Sequence, residues 1–73
     1  MANIGRAIAV CRIQHLIRQK DLADKVGLSA NYLCLIERGH RGVPIKTVEK
    51  IAEGIGISPL DIFVMAYTTL TKE

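Results

Sequence analysis

Gln19-Lys-Asp-Leu-Ala-Asp-Lys-Val-Gly-Leu-Ser-Ala-Asn-Tyr-Leu-Cys-Leu-Ile-Glu-Arg-Gly39 decides the fold of this 73-residue chain. Leu22, Ala23 and Val26 recur at helical spacing and predict a short helix beginning near Gln19. Gly27 supplies the positive φ at which that helix ends, and Ser29 caps a second helix, about Ala30 to Arg38, that turns Leu33 and Ile36 inward. So short a turn keeps the two helices from packing side by side. They are expected to cross steeply, with the second projecting from the body.

Outward from this unit the pattern gives five helices and no strand. Asn3 caps a first helix running to about His15, with Ile4, Ile8 and Cys11 on one face and Ile13 and Ile17 extending the core at its end. After Gly39, the segment His40-Arg41-Gly42-Val43-Pro44 has the composition of a loop. A fourth helix carries Ile45, Val48, Ile51, Ala52 and Ile55 inward until Gly54 and Gly56 end it. Ser58-Pro59, a cap followed by proline at the first helical position, opens a fifth helix through Leu60, Ile62, Phe63 and Tyr67, and Thr68 to Glu73 is expected to fray. With no repeat, low-complexity tract or linker, residues 1–73 are expected to form one all-α domain.

A chain this short buries only about 60% of its unfolded surface. Its 49% hydrophobic residues exclude disorder and leave apolar surface for a partner. The longest apolar runs, Ala7 to Cys11 and Ile62 to Tyr67, are far short of the roughly 18 residues of a membrane span. Arg6 and Arg12 interrupt the one candidate signal peptide, so a cytoplasmic protein is expected. Net charge is +3, and its distribution says more than its size. Residues 1–46 hold eight Lys or Arg against three acids, whereas residues 47–73 hold two against four. Positive charge thus travels with the projecting helix, a combination suited to the major groove of DNA.

Six elements in order carry a family resemblance. They are Arg12-Ile-Gln14, Gln19-x-x-Leu-Ala23, Gly27-Leu-Ser29, Tyr32-Leu-x-x-Ile-Glu-Arg-Gly39, Thr47-Val-x-Lys-Ile-Ala52 and Gly56-Ile-Ser-x-x-Asp-Ile-Phe63. Together they resemble the Cro and phage-repressor, or Xre-type, helix-turn-helix family over about residues 4–63, with the helix-turn-helix at about 19–38. The resemblance implies a five-helix, lambda-repressor-like DNA-binding domain. Two positions depart from it. Arg18 stands where the family has a capping Ser, Thr or Asn, and His15-Leu16 where it often has a left-handed Gly, so the corner between helices 1 and 2 is expected to differ.

By this resemblance Gln19 bonds a phosphate at the positive end of its helix, with a solvated Gln19 as the competing reading; Arg18, where the chain departs from the family, is expected to reach a phosphate in place of capping. Ala30, Asn31, Cys34 and Leu35 form the base-reading face: Asn31 matches the paired donor and acceptor of adenine, and Ala30 and Leu35 suit thymine methyls. Leu35 has a second reading as an exposed leucine or protein contact. Tyr32 either offers its hydroxyl to a phosphate or covers the junction of helices 3 and 4, while Arg38, Arg41 and Lys46 fit a phosphate clamp. Glu37, acidic where DNA approaches, is implied to pair with Arg12 and lock helix 1 to helix 3.

A single small module reads too few base pairs for useful specificity, so a homodimer is expected. Leu60, Phe63, Val64, Met65 and Tyr67 supply its interface, with Leu70 extending the stripe, and residues 58–70 serve as dimerisation helix and tail. Two cysteines, with His15 and His40 unrelated in spacing, make no metal pattern, and a disulfide between Cys11, in the core, and Cys34, facing outward, is not expected. No glycine-rich phosphate loop and no nucleophile with a base appears; neither an enzyme, a cofactor nor a small-molecule ligand is implied. The expected function is an autoregulatory transcriptional regulator reading a near-palindrome in double-stranded DNA, with control through concentration, site arrangement and contact with RNA polymerase. Restriction-modification controllers and Cro-like repressors fit equally. An antitoxin, or a protein-interaction module using Tyr32, Cys34 and Leu35, is the alternative.

Overall fold

Short polar side chains set three of the helix starts. The Arg6 N–H donates to Asn3 Oδ1 at 2.9 Å, the Tyr32 N–H to Ser29 Oγ at 3.0 Å and the Leu60 N–H to Ser58 Oγ at 3.2 Å, each satisfying an amide the helix leaves unpaired. In the last of these the Ser58 N–H also donates to Asp61 Oδ2 at 3.1 Å, closing a reciprocal capping box. The computed structural model describes residues 3–71, with side chains described through Thr68. They form α1 (Ile4–Gln14), α2 (Gln19–Val26), α3 (Ala30–Glu37), α4 (Ile45–Ile55) and α5 (Pro59–Thr71), an all-α fold without a strand among the described residues.

The first four helices end in one motif. After α2, the Leu28 N–H bonds the Ala23 carbonyl at 2.9 Å while Gly27 turns at φ +75°, a conformation that costs glycine little and other L-residues about 1 kcal/mol or more. The same pair of reversed hydrogen bonds closes α3 and α4, at Gly39 and Gly56. At the end of α1 the bonds recur, Leu16 N–H to Ile13 O and Ile17 N–H to Arg12 O, but the left-handed residue is Leu16, at φ +58°. The corner between α1 and α2 thus turns through a left-handed Leu16 in place of a glycine, and Arg18 makes no capping bond after it. Leu16 is also 92% exposed, so no packing offsets the strain. Leu16→Gly is expected to stabilise the chain by about 0.5 kcal/mol, the strain relieved exceeding the greater unfolded-state freedom of glycine, and to raise Tm by about 2–4 °C in thermal unfolding.

Each helix contributes to one core. Ile8, Leu22, Leu33, Ile36, Ile51 and Ile62 are fully buried, and among the described residues no charged or polar residue is buried with them. α1 packs on α5 and α3, and α4 packs on α2 and α5. Where α1 meets α3 the backbones nearly touch, and Gly5 is the residue that allows it: a Cβ there would collide with the Ile36 carbonyl oxygen. Cys11 belongs to this core, and burial, with the Asp61 carboxylate adding, pushes its thiol above the usual range. Cys11 and Cys34 are both free.

Three expectations fail in detail. Ile13 is 59% exposed, because two residues beyond Cys11 the helix has turned about 200° away from the core face. Ile45 is 60% exposed: it opens α4 beyond the core's edge, and Val48, Ile51, Ala52 and Ile55 carry the buried face. Thr68 does not begin a frayed end. The helix continues to Thr71, and the Thr68 hydroxyl donates to the Val64 carbonyl at 2.9 Å. Lys72 and Glu73 lie outside the described residues.

Candidate nucleic-acid interface

A buried-edge ion pair ties α3 to α1. Arg12, at the last turn of α1, meets Glu37, at the last turn of α3, through two parallel hydrogen bonds, Nε to Oε2 at 2.8 Å and Nη2 to Oε1 at 3.0 Å. Arg12 Nη1 also donates to the Ile17 carbonyl at 2.8 Å, so the guanidinium spans the α1–α2 corner as well. The side chains are only 13% and 6% exposed, and the fork geometry satisfies charges that could not otherwise be held there.

Gln19 belongs to this network. Its Nε2 donates to Glu37 Oε1 at 3.0 Å, so α1, α2 and α3 converge on one carboxylate. One amide hydrogen is thereby committed and the second remains for another acceptor. Eighteen residues separate Gln19 from Glu37, and nothing in the local pattern of either helix signals the contact. Arg18, at the N-cap of α2, makes no capping bond and instead pairs with Asp21 at 3.0 Å on an exposed surface. Such a pair contributes little and is readily exchanged for another anion.

On α3, Leu33 and Ile36 point inward, Ala30 and Asn31 are exposed, and Cys34 and Leu35 are half-buried. The outward strip is therefore small and mostly uncharged, with the one amide of Asn31 as its polar group. Tyr32 is half-buried and packs against the core. Arg38, Arg41 and Lys46 follow at the end of α3, in the loop and at the start of α4; all three are exposed and form no ion pair among the described residues.

A second uncovered surface lies on α5. Leu60, Val64 and Tyr67, spaced i, i+4 and i+7, are 66%, 55% and 64% exposed and form one stripe. Phe63 and Met65 are half-buried against the core instead. Ile62 and Ala66 occupy the opposite, buried face, and the side chain of Leu70 lies outside those described. Among the described residues no group of His, Cys, Asp and Glu could hold a metal ion, and no single helix is long and apolar enough to cross a membrane.

The family model described as "Helix-turn-helix" matches residues 8–62. Among relatives, the chain is 36% identical over 52 residues to the control protein C.BamHI of Bacillus amyloliquefaciens, covering 71% of this chain and 62% of that one. It is 34% identical over 71 residues to the immunity repressor protein of Bacillus phage phi105, covering 97% of this chain and 48% of that one. The chain thus spans about half the length of the repressor and about three-fifths of the control protein. The solved structure of the wild-type restriction-modification controller protein C.Esp1396I superposes with a TM-score of 0.87 at 30% identity, over 99% of this chain and 92% of that one. A nucleoprotein complex of the same controller superposes equally, at 0.87 and 30%, over 99% and 94%. With its family model matched over most of its length, and repressors and controller proteins among its relatives, the chain belongs to the helix-turn-helix family of transcriptional regulators.

Proposed function

We propose that this chain is a sequence-specific regulator that binds a near-palindromic operator in double-stranded DNA as a homodimer and controls its own transcription, in the manner of a restriction-modification controller or a Cro-like repressor. The observation that carries the reading is α3 itself. Its outward strip, with Ala30 and Asn31 exposed and Cys34 and Leu35 half-buried, lies beside Arg38, Arg41 and Lys46, three exposed cations without an ion pair among the described residues. The Arg12–Glu37 fork holds the helix rigidly at its far end. That a similar controller forms a nucleoprotein complex supports the assignment.

In this reading Asn31 bonds adenine bidentately, Ala30 and Leu35 meet thymine methyls, and Cys34 lies between them against the bases. Arg18, Gln19, Arg38, Arg41 and Lys46 take phosphates, with Tyr32 adding its hydroxyl at the groove's edge. Asn31→Ala is expected to lose about 1–3 kcal/mol of discrimination at one A·T position of each half-site. Lys46→Ala should weaken binding to all sequences alike and lower the slope of log affinity against log salt by about one. Fluorescence anisotropy across a salt series tests both. Affinity indifferent to salt would instead favour a helical protein-interaction module.

The exposed stripe of Leu60, Val64 and Tyr67 supplies the dimer contact, flanked by Phe63 and Met65. Two α5 helices packed antiparallel across a twofold axis would set Val64 near its own copy and Leu60 near the partner's Tyr67. The two α3 helices then enter successive major grooves about 34 Å apart. A charge at the axis should separate the protomers. Val64→Asp is expected to sediment as monomer and to lose operator binding while remaining helical. The whole chain acts as one DNA-binding domain of a cytoplasmic protein without catalytic chemistry, and RNA polymerase is the further partner when it activates.

A further inference from the structure

Of the four residues on the outward strip of α3, Asn31 alone carries a paired donor and acceptor for a base edge. Ala30 and Leu35 have no polar side-chain atom, and the Cys34 thiol is a weak donor and a weak acceptor. Ser29, just before the strip, commits its hydroxyl oxygen to the Tyr32 N–H at 3.0 Å, and Tyr32 packs against the core. Arg38 stands at the C-cap, whereas a recognition helix reads bases from its N-terminal residues. The strip therefore holds no Arg or Lys for the guanine edge and no Asp or Glu for the cytosine amine, the side chains that G·C pairs call for in the major groove.

Thymine and cytosine differ in that groove in two ways. Thymine offers the O4 acceptor and a C5 methyl group, and cytosine offers the N4 donor and no methyl. A leucine cannot bond either polar group, so only the methyl distinguishes the two bases to it. Leu35 is also held in place: its carbonyl accepts the His40 N–H at 2.9 Å, and the Arg12–Glu37 fork ties the next turn of the helix to α1. We propose that Leu35 reads the C5 methyl of pyrimidines as such, so that 5-methylcytosine is accepted in place of thymine and methylation of an operator cytosine tightens the complex. The inference rests on the DNA-binding reading above and deepens it, naming methylated duplex DNA as a ligand and cytosine methylation as a regulator of occupancy. Removing one methyl from water against Leu35 corresponds to about fourfold in affinity, and two symmetric half-sites to about fifteenfold. 5-Methylcytosine keeps the N4 amine, so it recovers the methyl's share and no more.

Anisotropy of labelled duplexes carrying the selected operator, at constant salt, isolates the methyl without altering the protein. Uracil in place of thymine removes the methyl and leaves every hydrogen-bonding group of the pair unchanged. At the thymine facing Leu35, replacement in both half-sites is expected to weaken binding about fifteenfold. With a C·G pair at that position, 5-methylcytosine in both half-sites should bind about fifteenfold more tightly than cytosine. Leu35→Ala should abolish both differences. Uracil and thymine bound alike at every half-site position, or cytosine and 5-methylcytosine bound alike at the position facing Leu35, overturns the proposal while the DNA-binding reading stands. Persistence of both differences in Leu35→Ala overturns the assignment to that residue. Absence of sequence-specific binding to any duplex overturns the proposal and the reading beneath it together.

Discussion

Glu37→Ala is expected to destabilise the protein by about 3 kcal/mol, a loss measurable as a lowered midpoint in urea or guanidinium unfolding. The substitution leaves the Arg12 guanidinium 13% exposed with one bond, to the Ile17 carbonyl, where it now has three. It also releases Gln19 Nε2. A domain of this size holds roughly 4–11 kcal/mol in all, so the change removes a large fraction of its stability. The double substitution Arg12→Met with Glu37→Met should cost clearly less than Glu37→Ala alone, because no unpaired charge is then held at the core's edge. A double loss equal to the sum of the losses of Arg12→Met and Glu37→Met measured singly would show that the two side chains are uncoupled. DNA affinity should fall in both, since the fork also sets the angle of α3.

Gly5→Ala is expected to cost about 3 kcal/mol as well, against the direction that helix propensity predicts. Alanine in place of glycine inside an exposed helix gains about 1 kcal/mol. Here the added methyl would collide with the Ile36 carbonyl oxygen, a backbone atom that can retreat only if α1 and α3 separate. Separation would also stretch the Arg12–Glu37 fork, which bridges the same two helices. Gly54→Ala is the comparison: its Cβ would press on Val26 Cγ1 and Leu22 Cδ1, ends of side chains that can shift, and the loss should be smaller. Stability gained by Gly5→Ala would refute the close approach of α1 and α3.

Much of the fold was legible because its punctuation is local. Ser29, Gly27 and Ser58-Pro59 act on backbone groups within a few residues, and the helices start and stop where these signals stand. The buried faces of α2 and α3 followed from spacing alone, as did the outward position of Asn31. What could not be read depends on how elements meet. Gly5 is an ordinary interior glycine until α3 lies across it, although a glycine inside a helical pattern is itself a sign of close approach. Gln19 shows no sequence sign of its bond to Glu37, which exists only because the third helix brings that carboxylate beside its amide. Leu16 hid its left-handed turn because its type argues against one; the tertiary corner overrides the residue's preference. Ile13 and Ile45 are apolar at the ends of helical patterns, where the core has already stopped.

Selection from a random double-stranded DNA library by the purified protein, with the bound fragments sequenced at physiological and at doubled salt, tests the regulator reading most directly. The account predicts enrichment of a near-palindrome whose half-sites lie one helical turn apart and are rich in A·T, with recovery falling steeply at the higher salt. Recovery of the input library without any enriched sequence at either salt would contradict it.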